Sequence, residues 1–403
     1  MNGPRDIADS AALRASNVSR ALSEIRRRGD AARVDLVESL DLSPATVSAV
    51  VSELLESGLI IEAPAASGAG RGRPRIQLRL NPKARMVAGA KLSASKVTVA
   101  ILDFCGEIIS TASTPTGPDP LSADAFLKKI EAALRQALLE ADLKESDLAA
   151  FGLGIPGYVE VESGQCHWSP LLSGGPINVR SLLAQRLSCP IFVDNDANLA
   201  TMAELWFGHG RDERDFLVVT VEHGVGLGIV LDGRLFRGGR GLGAEFGHTK
   251  VQIDGALCRC GQRGCLEAYV SDYALTREAG LAVGSVEGPE KTLDLLAEKA
   301  KAGHEVSASI YRRAGRMLGL GLANLLNIFD PPLIVLAGER IQNHDLLSEE
   351  IERTIAANSI SVDRREPRLA VHRWGDQLWA RGAGALALDG LMSLAPLTEA
   401  EVA

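Results

Sequence analysis

Two stretches of this chain repeat one pattern, and that repeat limits its fold more than any other feature. "MVAGAKLSASKVTVAILDFCGEII", from residue 86, and "DFLVVTVEHGVGLGIVLDGRLFRGG", from residue 215, each read as two apolar strands around a short turn. The first leads through an amphipathic helix, "ADAFLKKIEAALRQALLEA", to the strand and Gly/Pro turn of "LAAFGLGIPGYVE". The second is followed by "ASIYRRAGRMLGLGLANLLNIFDPPLIVLAGE", a long helix and then an apolar strand. Two similar α/β halves predict two lobes with a ligand-binding cleft between them. At 403 residues, 46% apolar and 23% charged, the chain suits two or three globular domains. "MNGPRDIADS" lacks the apolar core of a secretory signal, and no apolar run approaches the roughly 20 residues of a membrane span. A cytoplasmic protein with no membrane partner is expected.

The net charge of −8 hides an asymmetry, since residues 1–85 sum to +3 and the remainder to −11. In that mildly basic head, Val18, Ala21, Leu22 and Ile25 set a helix over 16–28 that stops at Gly29-Asp30, and "ARVDLVESL" gives a second. "DLSPATVSAVVSELLESG" supplies a third, with Ser43 as cap, Pro44 in the first turn, an apolar face of Val47, Val50, Val51, Leu54 and Leu55, and Gly58 at its end. Three short helices with a tight turn before the third form the helix-turn-helix pattern, whose last helix enters a major groove. Ser43, Ala45, Thr46 and Ser48 are the candidate groove residues. "GLIIEA" and "RIQLRLNP" then read as strands around "PAASGAGRGRP", a wing whose Arg71 and Arg73 suit a minor groove or phosphates. The competing reading is a protein-interaction module with a flexible basic linker.

Six cysteines in a long intracellular chain make a poor disulfide framework. Three of them, Cys258, Cys260 and Cys265, cluster just after His248 in "GHTKVQIDGALCRCGQRGCLE". Three thiolates and an imidazole suit a closed tetrahedral zinc site, yet the spacing is unlike ordinary zinc fingers, so buried or redox thiols remain a reading of the residues alone. Cys105, Cys166 and Cys189 are isolated and are expected to pack in the core.

"VDNDAN", "GAEFGH" and "CRCGQRGCLE" together resemble the ROK family of sugar kinases and sugar-responsive repressors, over nearly the whole chain. The resemblance implies an α/β fold with a winged helix-turn-helix over 1–80, followed by a two-lobed, actin-like (ribonuclease-H-like) ATPase body. The small lobe would cover 81–194, completed by 376–395, and the large lobe with the zinc loop 195–375. It also implies a structural Zn²⁺ on His248, Cys258, Cys260 and Cys265, and a sugar held by Asn195, Asp196, Glu245, His248 and Glu267. With four protein ligands, such a metal leaves no position for an activated water and organises structure. Taken singly, each sugar residue reads better as a surface acid or a strand-end turn, and only the five together in family order favour the sugar role.

In kinase members of the family the residue matching Asp196 is the catalytic base, and the first phosphate turn reads Asp-x-Gly-Gly-Thr-Lys. Here that turn is "KLSASK", with Lys91 in place of the acid and Ser93 and Ala94 in place of the glycines. The second, Gly-Thr-Gly-Val-Gly in kinases, is "EHGVG", with Glu222 and His223 substituted. Both changes work against polyphosphate binding, so Asp196 is expected to bind ligand without catalysis. "PLLSGGPINV" departs from the family's Pro-Asn-Leu-x-x-Trp, with Leu171 at the Asn position, which leaves the sugar's identity open. The expectation is a sugar-responsive regulator, in sense a repressor, acting on operator DNA as a homodimer or homotetramer. An active sugar kinase that also binds DNA, and a constitutive DNA-binding protein with a vestigial pocket, are the competing classes.

Overall fold

The computed structural model of the chain describes residues 4–64, 76–284, 288–360, 368–372 and 377–394. The chain parts into two compact units, one running to Leu199 and resuming at Trp379, the other spanning Ala200–Leu378.

The first unit begins with helices Pro4–Arg28, Arg33–Leu40 and Pro44–Glu56. The opening helix starts well before Ser16. Residues 12–14, just ahead of the predicted start, are exposed, Leu13 at 64%, so they carry no buried face from which a helix could be read. The second helix starts where the Asp35 carboxylate accepts from the Ala32 amide at 2.7 Å, and it stops where Asp41 turns left-handed at φ 53°. Strands Ile60–Ala63 and Gln77–Leu80 form an antiparallel hairpin, and the two residues Ala31–Ala32 add to its second strand. Leu22, Ile25, Leu36, Leu54, Ile60 and Leu78 fill the core under these elements. Arg71 and Arg73 lie outside the described residues.

The rest of this unit is a five-stranded sheet. In order across it run Ile191–Asn195, Leu148–Ile155, Met86–Leu92, Lys96–Leu102 and Ile108–Pro115. The last three form an antiparallel meander, and the first two run parallel to Met86–Leu92. The second unit repeats this arrangement, with Arg234–Phe236, Val225–Leu231 and Phe216–Val221 as the meander and Leu333–Ala337 and Arg368–Val371 as the parallel pair. The repeat read from the sequence is therefore a repeat of topology. Helix Ala123–Glu140 covers the first sheet with Phe126, Ile130, Leu134 and Ala137. Helix Glu305–Phe329 packs Leu318, Leu322 and Leu326 into the core of the second unit. Among the described residues no helix is long and apolar enough to cross a membrane.

Helix Gln377–Leu394 packs on the central strands of the first sheet at backbone distance. A Cβ on Gly89 would stand 2.3 Å from Ala380 O and Gly384 N, and one on Gly152 would stand 1.9 Å from Ala383 O. Neighbouring backbone cannot step aside as a flexible side chain can, so these glycines set the depth to which the helix docks. Gly152→Ala should lower stability by about 2–3 kcal/mol or more. Gly280→Ala, at an exposed helical position with nothing within 4 Å, should instead raise it by about 1 kcal/mol. Urea denaturation of the two variants checks both signs.

Candidate functional site

Parallel strands deliver their C-terminal ends to one edge of a sheet, which is where α/β proteins place ligands. In the first unit Lys91, Gly154 and Asp194 lie side by side in register, so the turns that follow them emerge at the same edge. After Asp194 the chain turns into helix Asp196–Phe207. The buried Asp194 carboxylate accepts from the Asn195 amide and from Asn198 Nδ2, both at 2.7 Å. Asn195 donates through Nδ2 to Gly157 O at 2.8 Å and accepts from the Ala197 amide at 2.8 Å. Asp196 Oδ1 also accepts from Ala197 N, at 3.0 Å. Asn195 is thus partly occupied in holding the turn, with capacity for one further bond from each end of its amide. Asp194 and Asn198 were not singled out from the sequence; their signal was the polar cluster "DNDAN", broken only by Ala197, where the strand gives way to an apolar helix.

The turn after Lys91 is closed on itself. Ser93 Oγ donates to Lys96 O at 2.9 Å and accepts from Lys96 N at 3.2 Å, while the Ser93 amide also reaches Lys96 O at 2.9 Å. Thr116 Oγ1 donates to Ala94 O at 2.6 Å. Lys91 is buried, with Nζ 3.7 Å from the centre of the Trp379 ring, a cation–π contact. A phosphate needs backbone amides pointing outward into a nest, and here the Lys96 amide is capped by a side chain.

In the second unit the matching turn follows Val221. The Glu222 amide binds Gly224 O at 2.9 Å, and the Val225 amide donates to Glu267 Oε2 at 3.3 Å. His223 Nδ1 stands 3.6 Å from Asp272 Oδ2, the acid at the start of helix Asp272–Val283. Glu267 is therefore tied to this turn as well as to the cysteine loop, where Cys258 Sγ approaches its Oε1 at 3.6 Å.

That loop is anchored at both ends by one glycine. A Cβ on Gly321, in helix Glu305–Phe329, would come within 2.8 Å of Phe246 and 2.9 Å of Leu266. These two buried side chains flank Glu245 and His248 on one side and Cys265 and Glu267 on the other. Ala244 adopts φ +67°, a left-handed conformation costly for a residue with a Cβ, immediately before Glu245. Between the anchors His248 Nδ1 and Cys258 Sγ lie 3.7 Å apart, Cys260 Sγ and Cys265 Sγ 3.8 Å apart, and all four ligand atoms within 4.8 Å of one another. Zinc–sulfur bonds of about 2.3 Å in a tetrahedron require sulfur–sulfur edges of about 3.8 Å. The donor set and its spacing suit a metal ion, and the cluster gathers all four residues expected from the sequence. His248 turns Nδ1 inward, so Nε2 lies on the far side of the ring. Cys105, Cys166 and Cys189 stand apart from this group, and burial pushes each thiol up to about 11, as inert packing residues require.

At the head, Ser43 Oγ accepts from the Thr46 amide at 3.1 Å and Pro44 opens the helix, as expected from the sequence. Ser43 and Thr46 hydroxyls bond each other at 2.8 Å, and Ser48 donates back to Pro44 O at 2.8 Å. Ala45 and Ser48 are exposed together with Ala49 and Ser52, which extend the same face and were not singled out. Val47, Val50, Val51 and Leu54 bury the opposite face.

Comparisons with known proteins agree with this architecture. The ROK family model matches residues 87–390. The xylose repressor of Caldicellulosiruptor bescii is 27% identical over 372 residues, covering 90% of this chain and 92% of that protein. A solved ROK family transcriptional regulator, described as a homologue of the Escherichia coli MLC protein, superposes with a TM-score of 0.81 at 26% identity, over 95% of this chain and 98% of that one. A ROK family glucokinase from Streptomyces griseus, solved with glucose and AMPPNP, has a TM-score of 0.64 at 30% identity, covering 75% of this chain and 99% of its own. The regulator match takes in the N-terminal helices, and the kinase match is confined to a smaller share of the chain. On these grounds the chain belongs to the ROK family.

Proposed function

We propose that this protein is a sugar-responsive transcriptional repressor whose winged helix binds operator DNA, whose effector is a sugar or sugar derivative, and whose body performs no productive phosphoryl transfer. The observation that carries this reading is the self-closed turn after Lys91, on a chain that also bears a capped recognition helix and keeps the acidic and amide side chains of a carbohydrate site. Asn195, Asp196, Glu245, His248 and Glu267 are the residues proposed to hold the sugar. Carboxylates and amides accept from vicinal hydroxyls, and a site that pairs each hydroxyl discriminates among epimers. Asp196 then serves as a hydrogen-bond acceptor for the ligand rather than as a base.

The metal is proposed to be a structural Zn²⁺ on His248, Cys258, Cys260 and Cys265. Four protein ligands complete a tetrahedron, and the ion would fix the loop between Phe246 and Leu266 so that Glu245, His248 and Glu267 are preorganised. Ser43, Ala45, Thr46 and Ser48 are proposed to face the major groove, with Arg71 and Arg73 on the wing. A homodimer or homotetramer would present two such heads to a pair of half-sites. The sugar acts by preferring the conformation that binds DNA poorly, since only a difference in affinity between two states shifts their populations. An active kinase that also binds DNA draws support from the retained Asp196 carboxylate and from the likeness to a ROK family glucokinase.

Ligand binding, turnover, substitution and metal removal test this reading. Calorimetry across hexoses, pentoses and N-acetylated sugars should find one class that binds, and the same sugar should weaken operator binding in fluorescence anisotropy. A coupled ADP-release assay with that sugar should stay at background; turnover would establish the kinase instead. Asp196→Asn should cost about 10–100-fold in sugar affinity, the worth of a hydrogen bond to a charged acceptor, while operator affinity without sugar stays unchanged. Removing the metal with a chelator should abolish sugar binding and leave the DNA-binding head folded, as read by calorimetry and anisotropy on one sample. Unchanged sugar affinity after metal removal would overturn the proposed role of the loop.

A further inference from the structure

An isolated antiparallel bridge pairs Lys250 with Cys265, which directs the two side chains to one face of the cysteine loop. Lys250 Nζ lies 2.9 Å from Cys265 Sγ and 2.6 Å from Gln262 Oε1. Lys250 is exposed and free, by its length, to extend into water, yet its ammonium folds back onto a fully buried sulfur. Holding a lysine in one rotamer costs side-chain entropy, so the contact must return a comparable gain. The gain is electrostatic. Three thiolates and a neutral imidazole on a divalent cation leave a net charge of −1, and an ammonium at hydrogen-bond range cancels it. Gln262 sits in the "CGQRGC" turn between Cys260 and Cys265, so its carbonyl fixes the ammonium relative to both sulfurs.

We infer that Lys250 is a positioning residue of the metal centre: its ammonium, steadied by Gln262, neutralises the tris-thiolate site and holds the Cys265 sulfur on the metal. This inference rests on the cluster being a metal site and concerns what retains the ion there. A lysine so placed favours the thiolate form of Cys265 that the metal requires and lowers the reactivity of that sulfur toward a competing electrophile. It acts through sulfur and touches neither sugar nor DNA.

The test uses the full chain, as wild type, Lys250→Met and Lys250→Arg, each loaded with zinc. Competition against a chromogenic chelator should show Lys250→Met holding zinc roughly 10–100-fold more weakly, the usual cost of losing an outer hydrogen bond to a ligand, with Lys250→Arg recovering most of it. In the cobalt(II)-substituted proteins the sulfur-to-metal charge-transfer band should move to lower energy in Lys250→Met and return in Lys250→Arg. A role in packing alone would not shift that band. Zinc affinity and band position both equal to wild type in Lys250→Met would overturn the role of the lysine while leaving the metal site standing. A wild-type chain that takes up no metal would overturn the metal site and this inference together.

Discussion

Like charges resist being brought together, and the loop between Phe246 and Leu266 is organised by that constraint. Three cysteine sulfurs and an imidazole nitrogen converge within 4.8 Å. As thiolates they would repel one another, and a bound cation would convert the repulsion into attraction from every side. The hydrophobic anchors at Gly321 hold the two ends of the loop, but they cannot set the path between them. The orientation of His248 and the proximity of Glu267 to Cys258 both follow from the convergence. Ala244, held left-handed beside the first anchor, shows that the local backbone accepts strain to deliver Glu245 to this neighbourhood.

The two turns at the sheet edges stand at matching places in the two sheets. In each sheet the strand order and the exit points of the turns are kept. What differs is where the backbone donors go. After Lys91 a serine hydroxyl takes the Lys96 amide, and after Val221 a carboxylate takes the Val225 amide. Hydrogen bonds made within the protein cost a ligand the free energy of breaking them, so amides engaged in this way are less available to an anion even where the path of the turn is right. The buried ammonium of Lys91 against Trp379 is occupied by an aromatic face on the docked C-terminal helix.

Much of this was legible in the sequence because it rests on local rules. The cap at Ser43, the strand-turn-strand repeats and the cysteine spacing each follow from a pattern a few residues long, and each appears where the sequence placed it. The start of the first helix was not legible, since its exposed residues 12–14 leave no apolar periodicity ahead of Ser16. The contact of Gly89 and Gly152 with a helix more than two hundred residues away was equally silent, because a glycine in a strand reads as weakness until its partner is known. Asp194 shows the same limit: only burial distinguishes its role in holding the turn from that of its polar neighbours.

The exposed face of the third helix carries Ala45, Ser48, Ala49 and Ser52. Purines are told apart most sharply by forked donors and amides, and this stretch offers methyl groups and short hydroxyls, with those of Ser43, Thr46 and Ser48 already engaged along the helix. If this face meets the major groove as proposed, a surface so smooth would let the backbone come close to the base edges, where thymine methyls and the width of the groove become the readable features. Such a reader would tolerate drift in its target letter by letter while remaining sensitive to the contour of the duplex, so related binding sites along a chromosome would share a form more than a spelling.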